Sequence, residues 1–389
     1  MIKFTGLLIV LLVFGFCTVS QNEKIITGAE QPENYISLLK NKNIGLVVNH
    51  TSVVSNLHLV DFLLSKNISV KKIFAPEHGF RGDASAGAKI KDGVDKETGV
   101  PVFSLYGKTR KPTQEHLSNL DVIIFDIQDV GCRFYTYIST MHLVLEACAE
   151  NNIPLIVLDR PNPNGDYVAG PILKPEFKSF VGMDPIPIVH GLTVGELAKM
   201  INGEKWHNAK RDCDLKVIPV KNYSHSTKYE LPINPSPNLP NYLSVRLYPS
   251  LCFFEATSVS VGRGTDSPFQ VLGGLNTELG DFKFTPKSIP GVSINPLNKG
   301  KECFGIDLRE LKEIPEFTLK YFLYFYSQYK NEKEFLTREN WFNKLAGTDK
   351  LIQQIRDDKS EAEILKSWEP ELKKYMELRK KYLLYPDFK

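Results

Sequence analysis

The chain has 389 residues, of which 42% are hydrophobic and 24% charged. This ordinary globular composition excludes disordered, collagenous and multi-pass membrane classes, and the length suits two lobes better than one small binding module. Forty-eight Lys and Arg stand against 45 Asp and Glu, so the net charge of +3 is too small for a surface built to hold nucleic acid.

Residues 1–20 carry one Lys, an apolar run from Leu7 to Phe16, and the small or polar ending Thr18-Val19-Ser20. That pattern predicts a signal peptide and an exported protein, periplasmic or extracellular. Cys17 offers the alternative of a lipid anchor, against which stands the bulky Phe16 before it. No later stretch reaches eighteen apolar residues, so no transmembrane segment is expected in the mature chain. The five remaining cysteines, at 132, 148, 213, 252 and 303, have no CxxC spacing and read as buried thiols, with no metal or cofactor expected.

From Ile44 the sequence alternates short β-branched runs (44–48, 70–75, 122–126, 155–159) with helical stretches (57–67, 113–120, 136–151). The last helix shows Ile138, Met141, Leu145 and Cys148 on one face. Such a βαβαβαβ chain predicts a Rossmann-like, doubly wound parallel sheet over 21–170. A breaker-rich stretch, 161–192, leads into an α+β lobe over 171–389. That lobe should open with a helix capped at Thr193, followed by a strand at 215–220, a Pro-rich turn at 234–240, and strands at 257–262 and 291–294. Helices are expected at 317–329, 348–357 and 370–384.

Loops at the carboxyl ends of parallel strands converge on one edge, where ligands bind. Here the strands end in Asn49-His50, Pro76-Glu77-His78-Gly79, Asp126-Ile127-Gln128-Asp129 and Asp159-Arg160. There is no G-x-G-x-x-G, P-loop, nucleophile elbow or H-E-x-x-H, which leaves carboxylate chemistry. Glu77 sits where a general acid is needed, and Asp126 and Asp129 are close enough to couple or to share a cation. Tyr135 and Tyr137 offer rings for stacking on a sugar. In the second half Glu255 precedes Gly262-Arg263-Gly264, a glycine-flanked Arg suited to gripping a carboxylate or phosphate, and Arg81, Arg133 and Arg160 are further candidates for an anion clamp.

At these residues the chain resembles the NamZ-type exo-β-N-acetylmuramidases. The matching segments are 75–82 (APEHGFRG), 121–137 (DVIIFDIQDVGCRFYTY), 158–165 (LDRPNPNG), 235–240 (PSPNLP) and 262–265 (GRGT). The resemblance implies a cleft between a Rossmann-like lobe and a second lobe. It also implies a peptidoglycan-fragment substrate, release of N-acetylmuramic acid from the non-reducing end, and Glu77 as the catalytic glutamate. The sequence departs from the family pattern at Val261, where Glu is expected, and at Ala256, where Gly is usual. The sugar's lactyl carboxylate gives Arg263 or Arg133 something to bind, and its acetamide offers an internal nucleophile. His78, Asp126, Asp129 and Tyr135 are then expected to orient or activate the attacking group. Two other readings use the same residues: a non-catalytic periplasmic receptor for wall sugars, and a metal-dependent hydrolase built on His50, His78, Asp126 and Asp129.

Overall fold

A computed structural model describes residues 23–77, 79–81 and 92–388. The expected leader with Cys17, and His78, lie outside the described residues. The strands, in chain order, are β1 (Asn43–Val48), β2 (Val53–Val54), β3 (Leu57–His58), β4 (Ser69–Ala75), β5 (Gly93–Val94), β6 (Pro101–Ser104), β7 (Val122–Asp126), β8 (Leu155–Leu158), β9 (Leu215–Ile218), β10 (Val271–Gly274), β11 (Phe282–Phe284) and β12 (Cys303–Asp307).

Seven of them form one sheet in the order β5-β6-β4-β1-β7-β8-β9, parallel except for β5. Every residue of β7 and β8 is buried, as expected for strands covered on both faces. From β1 the chain first steps outward through β4 and β6, then returns to the other side of β1 and proceeds through β7, β8 and β9. The order therefore reverses between β1 and β7, which opens a crevice outside their carboxyl ends. The helix Tyr137–Asn151 crosses between β7 and β8, burying Ile138, Met141, Leu145 and Cys148, and stops where Asn152 turns left-handed at φ 55°.

The strand at 215–220 was expected in the rear lobe but is β9 of the front sheet, parallel to β8. The helix Val194–Gly203, fixed by a Thr193–Glu196 capping box, is its crossover, so the breakers at 161–192 lie inside a βαβ unit rather than at its end. The segments 257–262 and 291–294 are not strands. The first makes isolated bridges, Thr257 to Leu336 and Ser260 to Gly273, before Gly262 turns the chain at φ 76°; the second is tied by one bridge, Ile289 to Ser293. The rear sheet is instead the antiparallel trio β10-β12-β11.

Of the rear helices, Lys320–Ser327 and Lys350–Arg356 fall within the expected spans. Glu361–Arg379 starts earlier than 370, because a Ser360–Glu363 capping box opens it and Pro370 lies in its interior. The Phe residues of this half interlock: Phe253 meets Phe342 at 5.3 Å and Phe254 meets Phe325 at 5.4 Å. One continuous apolar cluster runs from Phe125 and Met141 through Tyr135 to Phe253 and Phe342, so the rear half packs on one face of the front sheet without a core of its own. The other face carries a separate cluster around Leu46, Ile73 and Ile124.

Candidate active site

Glu77 leaves the end of β4 after Ala75-Pro76 and points toward the start of the Tyr137–Asn151 helix. Its Oε2 accepts from the Thr136 hydroxyl at 3.4 Å, its carboxylate accepts from the Tyr106 hydroxyl, and its backbone oxygen accepts from the Tyr137 hydroxyl at 3.5 Å. Three hydroxyls, one from beyond the end of β6 and two from the start of the helix, thus fix the residue.

Glu77 also lies where two hollows meet. A tight one of about 80 Å³ is lined by Tyr135, Tyr137, Ser236, Asn238 and Phe269, and a larger one of about 380 Å³ by Tyr106, Arg110, Phe180, Glu255, Trp341 and Lys344. Phe134, Thr136, Tyr248 and Arg263 belong to both. The walls are mostly aromatic: Tyr135 stands edge-on to Tyr137 at 5.0 Å and to Tyr248 at 5.8 Å. Burial pushes all three phenols upward, so at neutral pH they serve as hydrogen-bonding hydroxyls.

The Pro-rich turn forms the facing wall and is pinned twice. The Tyr135 hydroxyl donates to the Pro235 carbonyl at 2.7 Å, and His50 Nε2 meets the Asn234 carbonyl at 2.8 Å. Asn49 is wholly buried at the end of β1; its Oδ1 accepts from the Thr51 amide at 2.9 Å and hydroxyl at 2.6 Å, while its amide faces the Tyr137 hydroxyl. Asn49 and His50 therefore shape the site from behind.

Arg263 reaches the cavity from a tight turn in which Gly262 and Gly264 have φ 76° and 80°. A Cβ on Gly264 would fall 2.4 Å from the Lys287 carbonyl, so this loop requires glycine there. Arg263 Nε and Nη2 both donate to Glu255 Oε1, at 3.1 and 2.6 Å, and the guanidinium lies 5.1 Å from the Phe269 ring centre. The predicted anion grip is thus already engaged by a neighbouring carboxylate. Ala256 and Val261, the two departures from the family pattern, are both buried beside this pair.

The remaining predicted residues are placed elsewhere. Asp126 and Arg160 hold each other: Arg160 Nε and Nη2 donate to the two Asp126 oxygens at 2.5 and 2.9 Å, and Arg160 faces a different hollow with Thr27, Val53 and Tyr229. Asp159 caps the start of the Val194–Gly203 helix through Thr193 and Gly195 and takes the Tyr385 hydroxyl at 2.5 Å, tying down the C-terminal segment. Burial pushes its carboxyl up to about 6.

Arg133, wholly buried, donates only to carbonyls, those of Pro171, Ile186, Leu345 and Ala346. It is a strut between the halves and does not bind an anion. Arg81 is engaged by Asp95 at 2.9 Å, Glu97 at 3.1 Å and Asp61 at 3.6 Å. Gln128 bridges the Asp129 and Pro161 carbonyls, both at 2.8 Å. Asp129 Oδ2 accepts from the Gly131 amide at 2.7 Å behind the tyrosines, and burial pushes its carboxyl up to about 7. With Asp126 held by Arg160 and Asp129 by backbone, these acids are not assembled for a shared cation. Among the described residues no group of three or more His, Cys, Asp or Glu is so arranged.

Of the predicted residues, then, Glu77, Tyr135, Tyr137, Glu255 and Arg263 converge on the cavity. Tyr106, Arg110, Thr136, Phe180, Tyr248, Trp341 and Lys344 also line it and were not foreseen. Tyr106 was in principle readable, since it follows β6, but that strand begins at Pro101 and is only four residues long.

The fold and site define a two-lobed, Rossmann-like α/β protein with a half-buried glutamate where two aromatic-walled hollows adjoin. The chain belongs to the exo-beta-N-acetylmuramidase NamZ family, matching its N-terminal part over residues 44–243 and its C-terminal part over 246–385. It is 40% identical to the peptidoglycan beta-N-acetylmuramidase NamZ of Bacillus subtilis (strain 168), over 94% of this chain and 92% of that one. Two crystal structures of DUF1343 family proteins from Bacteroides fragilis NCTC 9343 share the fold. One has TM-score 0.87 and 47% identity, covering 94% of this chain and 99% of its own; the other has TM-score 0.79 and 30% identity, covering 93% and 99%.

Proposed function

We propose that this chain is an exo-acting glycoside hydrolase that releases N-acetylmuramic acid from the non-reducing ends of peptidoglycan fragments, with Glu77 as the general acid. The observation that carries the reading is the position of Glu77: at the junction of the two hollows, its carboxylate held by the Thr136 and Tyr106 hydroxyls. Glu77 passes its proton to the glycosidic oxygen as that bond breaks. The hydroxyls keep the carboxylate in place before and after the transfer. The sugar's acetamide supplies the internal nucleophile at the anomeric carbon, the role a second carboxylate plays in other glycosidases. Glu255, the other carboxylate on the wall, is tied to Arg263 and shapes the pocket.

The leader-like residues 1–20 support export, and an exported muramidase would serve turnover and recycling of the cell wall outside the cytoplasm. The direct test offers two disaccharides, one with N-acetylmuramic acid at the non-reducing end and one with it at the reducing end, and identifies the products by mass spectrometry. Cleavage of the first alone supports the reading. Cleavage of neither, or of both equally, counts against it.

A further inference from the structure

We infer that Arg110, assisted by Lys344, is the specificity anchor for the carboxylate of the bound sugar; this rests on the muramidase reading above. An N-acetylmuramoyl residue differs from an N-acetylglucosaminyl residue by its lactyl ether, which ends in a carboxylate. A pocket selective for it therefore needs an accessible cation whose charge is not already paired with a protein carboxylate. The arginines named from sequence do not qualify. Arg263 gives two donors to Glu255, Arg133 is sealed against four carbonyls, Arg160 is forked onto Asp126, and Arg81 is surrounded by Asp61, Asp95 and Glu97.

Arg110 and Lys344 both line the larger hollow with Glu77, both are exposed at its rim, and neither has a carboxylate partner among the described residues. The Arg110 guanidinium lies over the Phe180 ring at 4.4 Å, which holds the plane in position while its edges stay available for a bidentate contact. Arg110 and Glu77 also act on the same phenol with opposite sign. After burial, the Glu77 charge pushes the Tyr106 hydroxyl up, and Arg110 pulls it down. A sugar bound in this hollow thus shares one lining with the proton donor Glu77, the phenol Tyr106 and the cation Arg110.

Arg110 approaches from the segment after β6 and Lys344 from the helix Glu339–Ala346, so the two lobes each contribute one charge. The carboxylate contact is made equally in the bound ground state and in the transition state, so its loss should appear mainly in KM.

The test compares wild type, Arg110→Ala, Arg110→Lys and Lys344→Ala on a chromogenic β-glycoside of N-acetylmuramic acid and on the same glycoside with its lactyl carboxyl methylated. On the free acid, Arg110→Ala should lower kcat/KM by roughly 10- to 100-fold, mostly through KM, as expected for loss of a charged hydrogen-bonding pair. Arg110→Lys should recover part of this, and Lys344→Ala should lose less. On the methyl ester, wild type and Arg110→Ala should be alike within about twofold, because the partner charge is already gone. Equal losses on acid and ester, or no loss on the acid, would overturn the assignment alone. A wild type inactive on every muramoside would overturn the muramidase reading, and this anchor with it.

Discussion

Replacing Arg133 by Met probes how the two halves are joined. Nη1 donates to the carbonyls of Pro171 and Ile186, both at 2.7 Å, and Nη2 to those of Leu345 and Ala346 at 3.0 and 2.7 Å. Leu345 and Ala346 end the Glu339–Ala346 helix, where carbonyls have no partner within the helix. Met fills much of the same volume but leaves the buried carbonyls of Pro171, Leu345 and Ala346 without a donor, while the Ile186 carbonyl keeps the Leu173 amide at 3.2 Å. At about 1–3 kcal/mol for each orphan, the gross loss is roughly 6 kcal/mol.

Against this stands relief of burying an unpaired cation, a cost that pulls the Arg133 guanidinium down from 12.5 to about 9. At about 1.4 kcal/mol per pKa unit that relief is roughly 5 kcal/mol. The net expectation is a small destabilisation, about 1 kcal/mol, because the two effects nearly cancel. Urea unfolding followed by tryptophan fluorescence measures it directly. A variant more stable than wild type would refute the view that this guanidinium joins the halves.

The Asp129 carboxyl is pushed up to about 7 by burial, so between the usual carboxylate value near 4 and pH 7 the folded protein holds a proton that the unfolded chain releases. Stability from this group is therefore present at low pH and lost as pH rises toward 7. Asp129→Asn should shrink the fall in melting temperature between pH 5 and 7.5, and an unchanged fall would contradict the assignment; Asp159, raised to about 6, leaves a residual slope of the same sign. Gly347 sits at φ 75° with its would-be Cβ 2.6 Å from Arg133 Nη2, so Gly347→Ala should cost at least about 2 kcal/mol in thermal or urea unfolding. Together with Arg133→Met its effect should be less than additive, and strict additivity would argue that the two do not interact. Tyr106→Phe removes a hydroxyl that donates to Glu77, so kcat should fall about tenfold with KM nearly unchanged; a pure KM effect would place Tyr106 in binding instead.

The front sheet was readable because β1, β4, β7 and β8 are short, continuous apolar runs with no other way to be buried. β6 was hidden by its leading Pro101 and its length, whereas β9 was legible as a strand but the breakers before its crossover helix put it in the wrong lobe. The rear lobe was harder to read because its order comes from long-range packing among Phe253, Phe254, Phe322 and Phe342, which leaves no periodicity in the chain. For the site, strand-end logic pointed to Glu77 and the Tyr135–Tyr137 segment, which line the hollows. It could not separate a charge facing a cavity from one satisfied inside the fold: Asp126, Asp159, Arg133 and Arg160 occupy strand ends or the loops near them, yet each meets protein partners. Arg110 and Lys344 carried no motif because what distinguishes them is the lack of a carboxylate partner among the described residues.

The central claim, that Glu77 delivers the proton to the leaving oxygen, is tested most directly by turnover of a muramic-acid glycoside with a poor leaving group by Glu77→Gln beside wild type. The account predicts a fall in kcat of about a hundredfold or more. Affinity for free N-acetylmuramic acid, read by calorimetry, and the melting temperature should change little. Turnover within a fewfold of wild type would contradict it.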